Sequence, residues 1–295
     1  MSSPTRDLPV DLPDGATRAA AGIAVVLVAQ LMLVLDATVV NVALPSIRTS
    51  LGFTETGLVW VVNAYLLTYG GFLLLGGRLA DIYGPRKLFL AGTALFTVAS
   101  LVCGLAPSRE FLIIARAVQG LGGAVVSAVA FALIMNLFPE GPSRVRAMGY
   151  FGFVMAGGGS IGVLLGGLLT GALDWRWIFL INIPVAAIVG VGAYRMLIHQ
   201  EAATRRIPVD YMGLFLLVIW VGAMQIMLDK GKELDWFGSP FIVGLAIVAA
   251  VGFAAFLIWE LTSPNPIVNL RIFRHRGFVI GVTTLSLTFG AFFAS

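Results

Sequence analysis

The chain has 295 residues, of which 59% are hydrophobic and only 12% charged, and its mean hydropathy is +0.96. Soluble domains run at about 45–50% apolar and 25% charged residues, so this composition excludes a soluble globular domain and indicates an integral membrane protein. The formal net charge of +4 and pI near 9.5 do not indicate nucleic acid, because the basic residues lie in short loops between apolar runs and form no stripe. A single cysteine, Cys103, excludes an intrachain disulfide framework, and His199 and His275 lie too far apart to suggest a metal site or a general base.

Residues 1–18 mix Pro, Asp and Arg and read as a disordered cytoplasmic tail. Nine apolar segments then approach the roughly 20 residues a helical span requires: 19–44, 57–78, 87–106, 110–138, 145–171, 176–198, 209–229, 239–260 and 277–295. The first is about twice the length of a signal-peptide core, so it reads as an uncleaved span ending at Pro45. Thirteen Lys and Arg residues fall in the tail and loops on the N-terminal side and five on the other, which places the N-terminus in the cytoplasm. His199 and His275 belong to loops and read as solvated or headgroup-level side chains.

Within the first segment Asp36 is the one ionisable side chain. A carboxylate in a hydrocarbon span costs about 2.5–3.5 kcal/mol on insertion scales, and its usual justifications are a water-filled path, a proton relay or a buried partner charge. Arg116, the nineteenth basic residue, belongs to neither set and falls inside the fourth segment. At 1.5 Å per helical residue, Asp36 lies about 13 Å before the outer end of its span and Arg116 about 9 Å past the outer start of its own. Charges at similar depth in hydrocarbon seek each other, so the first and fourth segments are expected to face a common interior. The pair serves either as a static lock between two helices or as a proton-sensitive carboxylate with a responsive cation. Thr38, Asn41, Asn63 and Gln119, polar residues of the same apolar segments, are the candidate cavity lining.

The loop after the second segment holds Gly77, Arg78, Asp81, Gly84, Arg86 and Lys87, with Pro85 suited to the first turn of the next helix. Asp81 beside three basic residues could form a charge network that rearranges as helices move, a cytoplasmic gate, or could simply mark the positive-inside face. In the fifth segment Gly158, Gly162 and Gly166 recur every four residues and, with Gly167, make a small-residue face for close helix packing. Segments one to three and four to six form two triplets of opposite starting side, the arrangement from which many secondary transporters build one half.

Four stretches resemble one family. Leu35 to Pro45, Gly77 to Lys87, Arg116-Ala117-Val118-Gln119-Gly120 and Trp175 to Pro184 are similar to motifs of the major facilitator superfamily, in its fourteen-helix drug:proton antiporter branch of EmrB/QacA type. Ile82 and Pro85 stand where that family usually has basic residues, and Val163 where its fifth helix typically has Pro. The resemblance implies an all-α integral membrane fold: the N-terminal six-helix half over 19–198, a linker loop over 199–208, two extra helices over 209–260, and a loop with the start of an incomplete C-terminal half over 261–295. It implies proton-coupled efflux of hydrophobic or cationic drugs, with Asp36 as the coupling carboxylate, Arg116 as its partner, and Asp81 with Arg86 in the gate.

The expected partners are the bilayer, protons and a small-molecule substrate. A further C-terminal half or an accessory efflux protein is also a candidate partner, and nucleic acid is not. The proton gradient supplies the energy, with no cofactor and no metal. The expected location is the inner membrane of a bacterium. No intramembrane His cluster or carboxylate pair suggests an enzyme. The alternatives are a transporter of one specific metabolite, or a truncated, non-transporting fragment or scaffold.

Overall fold

The computed structural model describes residues 15–138, 140–197, 210–264, 266–268 and 270–294. The chain divides into two compact units, Met1–Arg206 and Ile207–Ser295. The linker expected over 199–208 lies outside the described residues. Eight helices among those described are long and apolar enough to cross a membrane.

The first unit contains α1 (Gly15–Leu51), the short α2 (Glu55–Leu58), α3 (Trp60–Tyr83), α4 (Pro85–Gly104), α5 (Arg109–Leu137), α6 (Pro142–Ala172), the short α7 (Trp177–Leu180) and α8 (Asn182–Met196). Packing in this unit follows from helical periodicity. Along α1 the buried residues Val26, Ala29, Leu33, Asp36, Val40, Ala43 and Ile47 alternate in steps of three and four, which is one stripe of a helix. Asp36 therefore sits on the packed face. In α5 the same spacing runs through Leu112, Arg116, Gln119, Gly123, Val126, Ala130 and Leu133. Thus α1 and α5 bring their charged side chains to the inside by the register that buries their apolar ones.

Two expectations about α1 are corrected. The helix begins at Gly15, inside the stretch read as a disordered tail. It also continues through Pro45 to Leu51, because Ile47 beyond the proline is fully buried and belongs with Val40, Ala43 and Phe179 to one apolar core cluster. Pro45 removes one N–H from the ladder, a loss that transmembrane helices tolerate.

The glycines of α5 set the close approach of its neighbours. A Cβ on Gly122 would lie 2.6 Å from the backbone nitrogen of Phe96 in α4, and one on Gly120 would overlap the carbonyl oxygen of Tyr65 and the hydroxyl of Thr68 in α3. On the other side of the bundle Gly158, Gly162 and Gly166 of α6 meet α1 at Val34, Thr38 and Val42. Gly167 does not join this face: the space where its Cβ would stand is open. Although Val163 replaces a family proline, α6 runs without a break and Val163 is exposed.

The sixth expected span is interrupted at Ile181, between α7 and α8. Pro184 has no N–H to offer the Leu180 carbonyl four residues earlier, so regular helix cannot run through this point with every carbonyl satisfied. The interruption puts Asn182 in the first turn of α8.

The second unit holds α9 (Tyr211–Gly231), α10 (Pro240–Thr262) and α11 (Arg276–Ala294), with 3-10 turns at Trp236–Gly238 and Leu270–Arg274. Trp220 packs between α9 and α10 against Phe253 and Phe256, at ring distances of 5.0 and 6.2 Å. The ninth expected segment forms α11.

Candidate functional site

Five helices contribute side chains to one buried polar cluster, and a sixth a backbone carbonyl. Arg116 Nη1 donates to Asp36 Oδ2 at 2.7 Å and to Gln119 Oε1 at 2.7 Å, and Arg116 Nε donates to the carbonyl of Val61 at 3.0 Å. Its guanidinium also lies over the ring of Tyr65, 4.2 Å from the centroid. Gln119 Nε2 donates to Asp36 Oδ1 at 2.8 Å, and Asn182 Nδ2 donates to the same oxygen at 2.8 Å. Ser100 ties the set together, accepting from Gln119 and Asn182 at 3.1 and 2.9 Å and donating to the Phe179 carbonyl at 2.9 Å.

The ion pair is enclosed, with side-chain exposures of 1% for Arg116 and 0% for Asp36. Low local dielectric strengthens each charge-assisted bond and makes any unpaired member costly. Arg116 nevertheless has four electron-rich neighbours besides Asp36: the Val61 carbonyl, the Gln119 amide oxygen and the faces of Tyr65 and Phe179. A guanidinium so surrounded keeps partners if the carboxylate is neutralised.

Beside Asp36 a cavity of about 260 Å³ opens between α1, α6 and the α7–α8 region. Leu31, Leu35, Leu165, Leu169, Ile178 and Val185 supply most of its wall, so a polar cluster and an apolar hollow share Asp36 and Asn182 as their boundary.

The sequence-predicted residues divide unevenly around this centre. Asp36, Arg116 and Gln119 come together. Of the four expected cavity-lining residues, none lines the apolar hollow. Thr38 bonds to the Val34 and Leu35 carbonyls of its own helix and Asn41 to that of Ala37, with Asn41 exposed, while Asn63 is buried on α3. Among the described residues Asp81 makes no ion pair with Arg78, Arg86 or Lys87. Gly84, with φ of +89°, turns the chain sharply from α3 into α4. Arg86 Nη2 then donates to the Tyr194 carbonyl on α8 at 2.8 Å, with its guanidinium 5.1 Å from the Tyr194 ring.

Sequence reasoning missed Ser100, Asn182 and Tyr65. Asn182 carried a usable signal, as an amide two residues before Pro184 inside an apolar run. Ser100 and Tyr65 carried none, since small hydroxyls and tyrosines are ordinary in membrane helices.

The contact of α6 with α1 yields a prediction. A Cβ on Gly162 would overlap the Thr38 hydroxyl two residues from Asp36. Gly162→Ala is expected to lower thermal stability by about 1–3 kcal/mol through overpacking, and Thr38→Ala in the same chain is expected to restore most of it. A double-mutant cycle on the purified protein checks the coupling.

A helical membrane unit with a buried charge pair at its centre defines a class of polytopic, helix-packed membrane proteins. The chain belongs within it to the Major Facilitator Superfamily, which residues 26–295 match. It is 39% identical over 258 residues to the fatty acid resistance protein FarB of Neisseria gonorrhoeae, an alignment covering 88% of this chain and 51% of FarB. Identity to the puromycin resistance protein pur8 of Streptomyces alboniger is 39%, covering 92% of this chain and 54% of that protein. For the multidrug export protein EmrB of Escherichia coli K12 it is 38%, with coverages of 90% and 52%. These relatives fit the EmrB/QacA-type branch, and the chain spans about half the length of each. A crystal structure of the peptide transporter POT with sulfate superposes with a TM-score of 0.62 at 14% identity, covering 86% of this chain and 57% of POT. A D-xylose-proton symporter gives 0.51 at 15% identity, with coverages of 82% and 67%. At these identities the likeness is one of fold.

Proposed function

We propose that this chain is the N-terminal part of a secondary transporter of a bacterial inner membrane, N-terminus in the cytoplasm, which exchanges protons for hydrophobic or cationic drugs and moves them outward. The observation that carries the reading is the Asp36–Arg116 pair, buried, hydrogen-bonded to each other and to neighbouring groups, and bordered by an apolar hollow.

Protonation of Asp36 removes the charge that holds α1 to α5 through Arg116. Arg116 then rests on Val61, Gln119 and Tyr65, and Asp36 keeps the amides of Gln119 and Asn182 as neighbours on Oδ1. The cost of neutralising the carboxylate is thereby limited, and the two protonation states favour different arrangements of α1. The glycine face of α6 gives α1 a close surface on which to shift. A substrate that binds one arrangement better than the other is thus linked to the proton, since a ligand shifts an equilibrium only by its differential affinity. The names of the relatives, which concern fatty acids, puromycin and multiple drugs, agree with an apolar or amphipathic substrate, as does the apolar wall beside Asp36. Asp81 and Arg86 are proposed to act at the cytoplasmic side, with Arg86 holding the end of α8 in the state described.

The test is efflux of a fluorescent hydrophobic cation by the full-length protein in everted vesicles. A proton gradient is expected to drive accumulation, and Asp36→Asn to abolish it while leaving folded protein in the membrane. Undiminished gradient-driven accumulation by Asp36→Asn would refute the coupling role.

A further inference from the structure

The polar cluster treats the two oxygens of Asp36 unequally. Oδ1 accepts two amide N–H groups, from Gln119 and Asn182 at 2.8 Å each, whereas Oδ2 accepts from Arg116 alone among the described residues. A carboxylate oxygen offers about two lone-pair positions, so Oδ1 is full and Oδ2 has one open. A proton arriving at Oδ1 would displace an amide and strand a buried N–H. At Oδ2 it displaces no donor, and the guanidinium beside it retains the Val61 carbonyl, the Gln119 amide oxygen and two aromatic faces.

The amides are not free to turn and reverse this preference. Arg116 Nη1 donates to Gln119 Oε1 at 2.7 Å, so exchanging the ends of that amide would set N–H against N–H. Both amide nitrogens place their second contact on one atom, Ser100 Oγ, at 3.1 Å from Gln119 and 2.9 Å from Asn182. The single hydrogen of that hydroxyl goes to the Phe179 carbonyl at 2.9 Å, which leaves both of its lone pairs to the amides. Phe179 lies in α7, two residues ahead of the interruption at Ile181. Ser100, fully buried on α4, is thus the fixed point that holds two amides and one end of the interrupted helix.

We infer that the proton exchanged at Asp36 is carried on Oδ2, and that Ser100 is a positioning residue that enforces this by holding Gln119 and Asn182 on Oδ1. The inference rests on the exchange reading above and adds which oxygen reacts and which residue outside the ion pair directs it. In the neutral state Oδ1 is the carbonyl and keeps its two N–H donors, and Oδ2 is the hydroxyl. The one bond formed is Oδ2–H, and the one interaction given up is the ionic part of the contact with Arg116.

The experiment is infrared difference spectroscopy between neutral and acid pH on the full-length protein in lipid nanodiscs, with the Asp36 band identified as the protonated-carboxyl carbonyl band missing from Asp36→Asn. A carbonyl stretch falls in frequency as its oxygen accepts more hydrogen bonds, so the band reports the oxygen that does not carry the proton. The wild-type band is expected at the low-frequency end of the carboxylic-acid range, and both Asn182→Ala and Ser100→Ala are expected to move it upward. Ser100→Cys, whose thiol is a weak acceptor, takes the place of Ser100→Ala if that variant folds poorly. Movement with Asn182→Ala but with neither serine variant overturns the role of Ser100. A band unmoved by all three, or one that moves only with Arg116→Lys, puts the carbonyl at Oδ2 and overturns the inference while leaving Asp36 as the proton carrier. A spectrum with no band that depends on Asp36 overturns the exchange reading, and this inference with it.

Discussion

Arg116→Leu is expected to lower the stability of the purified protein by about 3–5 kcal/mol, because it strands a buried carboxylate. Asp36 would keep Gln119 and Asn182 on Oδ1 and lose its charged partner on Oδ2. Thermal unfolding in nanodiscs measures the loss. The double variant Asp36→Leu/Arg116→Leu is expected to recover much of it, since an apolar pair of similar volume can replace a buried ion pair with little net cost. The non-additivity is the signature of the pair. Transport is expected to be absent from both, so the double variant separates holding the fold from moving the proton.

A second large effect is expected from Gly120→Val. Its Cβ would overlap the carbonyl of Tyr65 and the hydroxyl of Thr68, and a backbone carbonyl in α3 cannot turn aside as a flexible side chain can. The helices α3 and α5 must separate, at about 1–3 kcal/mol for overpacking. The function should suffer more than the fold, because Tyr65 rides on the displaced segment and its ring covers Arg116. Loss of gradient-driven efflux with a modest fall in unfolding temperature is the expected result. Gly70→Ala on α3, where a Cβ meets open space, is the matched control and is expected to change neither.

Legibility in the sequence followed the physics of each residue. Asp36 and Arg116 stood out because hydrocarbon penalises charge, and a rise of 1.5 Å per residue was enough to set them at one depth. The far end of the first helix was misjudged, since Pro45 reads as a terminus locally but is overridden by the burial of Ile47 two residues on. The small-residue spacing put Gly158, Gly162 and Gly166 on one face by helical periodicity, and in the structure these three lie against Val34, Thr38 and Val42 of α1. Gly167 lies off that stripe, and its neighbours could be known only from the packing. Charge density suggested a network around Asp81, yet the turn at Gly84 delivers Arg86 to α8 instead. Ser100 and Asn182 depend on where α8 meets α1 and α4, and on the interruption at Ile181, neither of which composition specifies.

The central claim is that Asp36 takes up and gives up a proton in exchange for substrate. It is tested most directly by measuring protons released to a weakly buffered medium when a hydrophobic cation is added to the full-length protein in nanodiscs. Release from the wild type that vanishes in Asp36→Asn, with substrate binding retained, is the predicted result. Equal proton release from Asp36→Asn would contradict the account and leave the Asp36–Arg116 pair as a lock between α1 and α5.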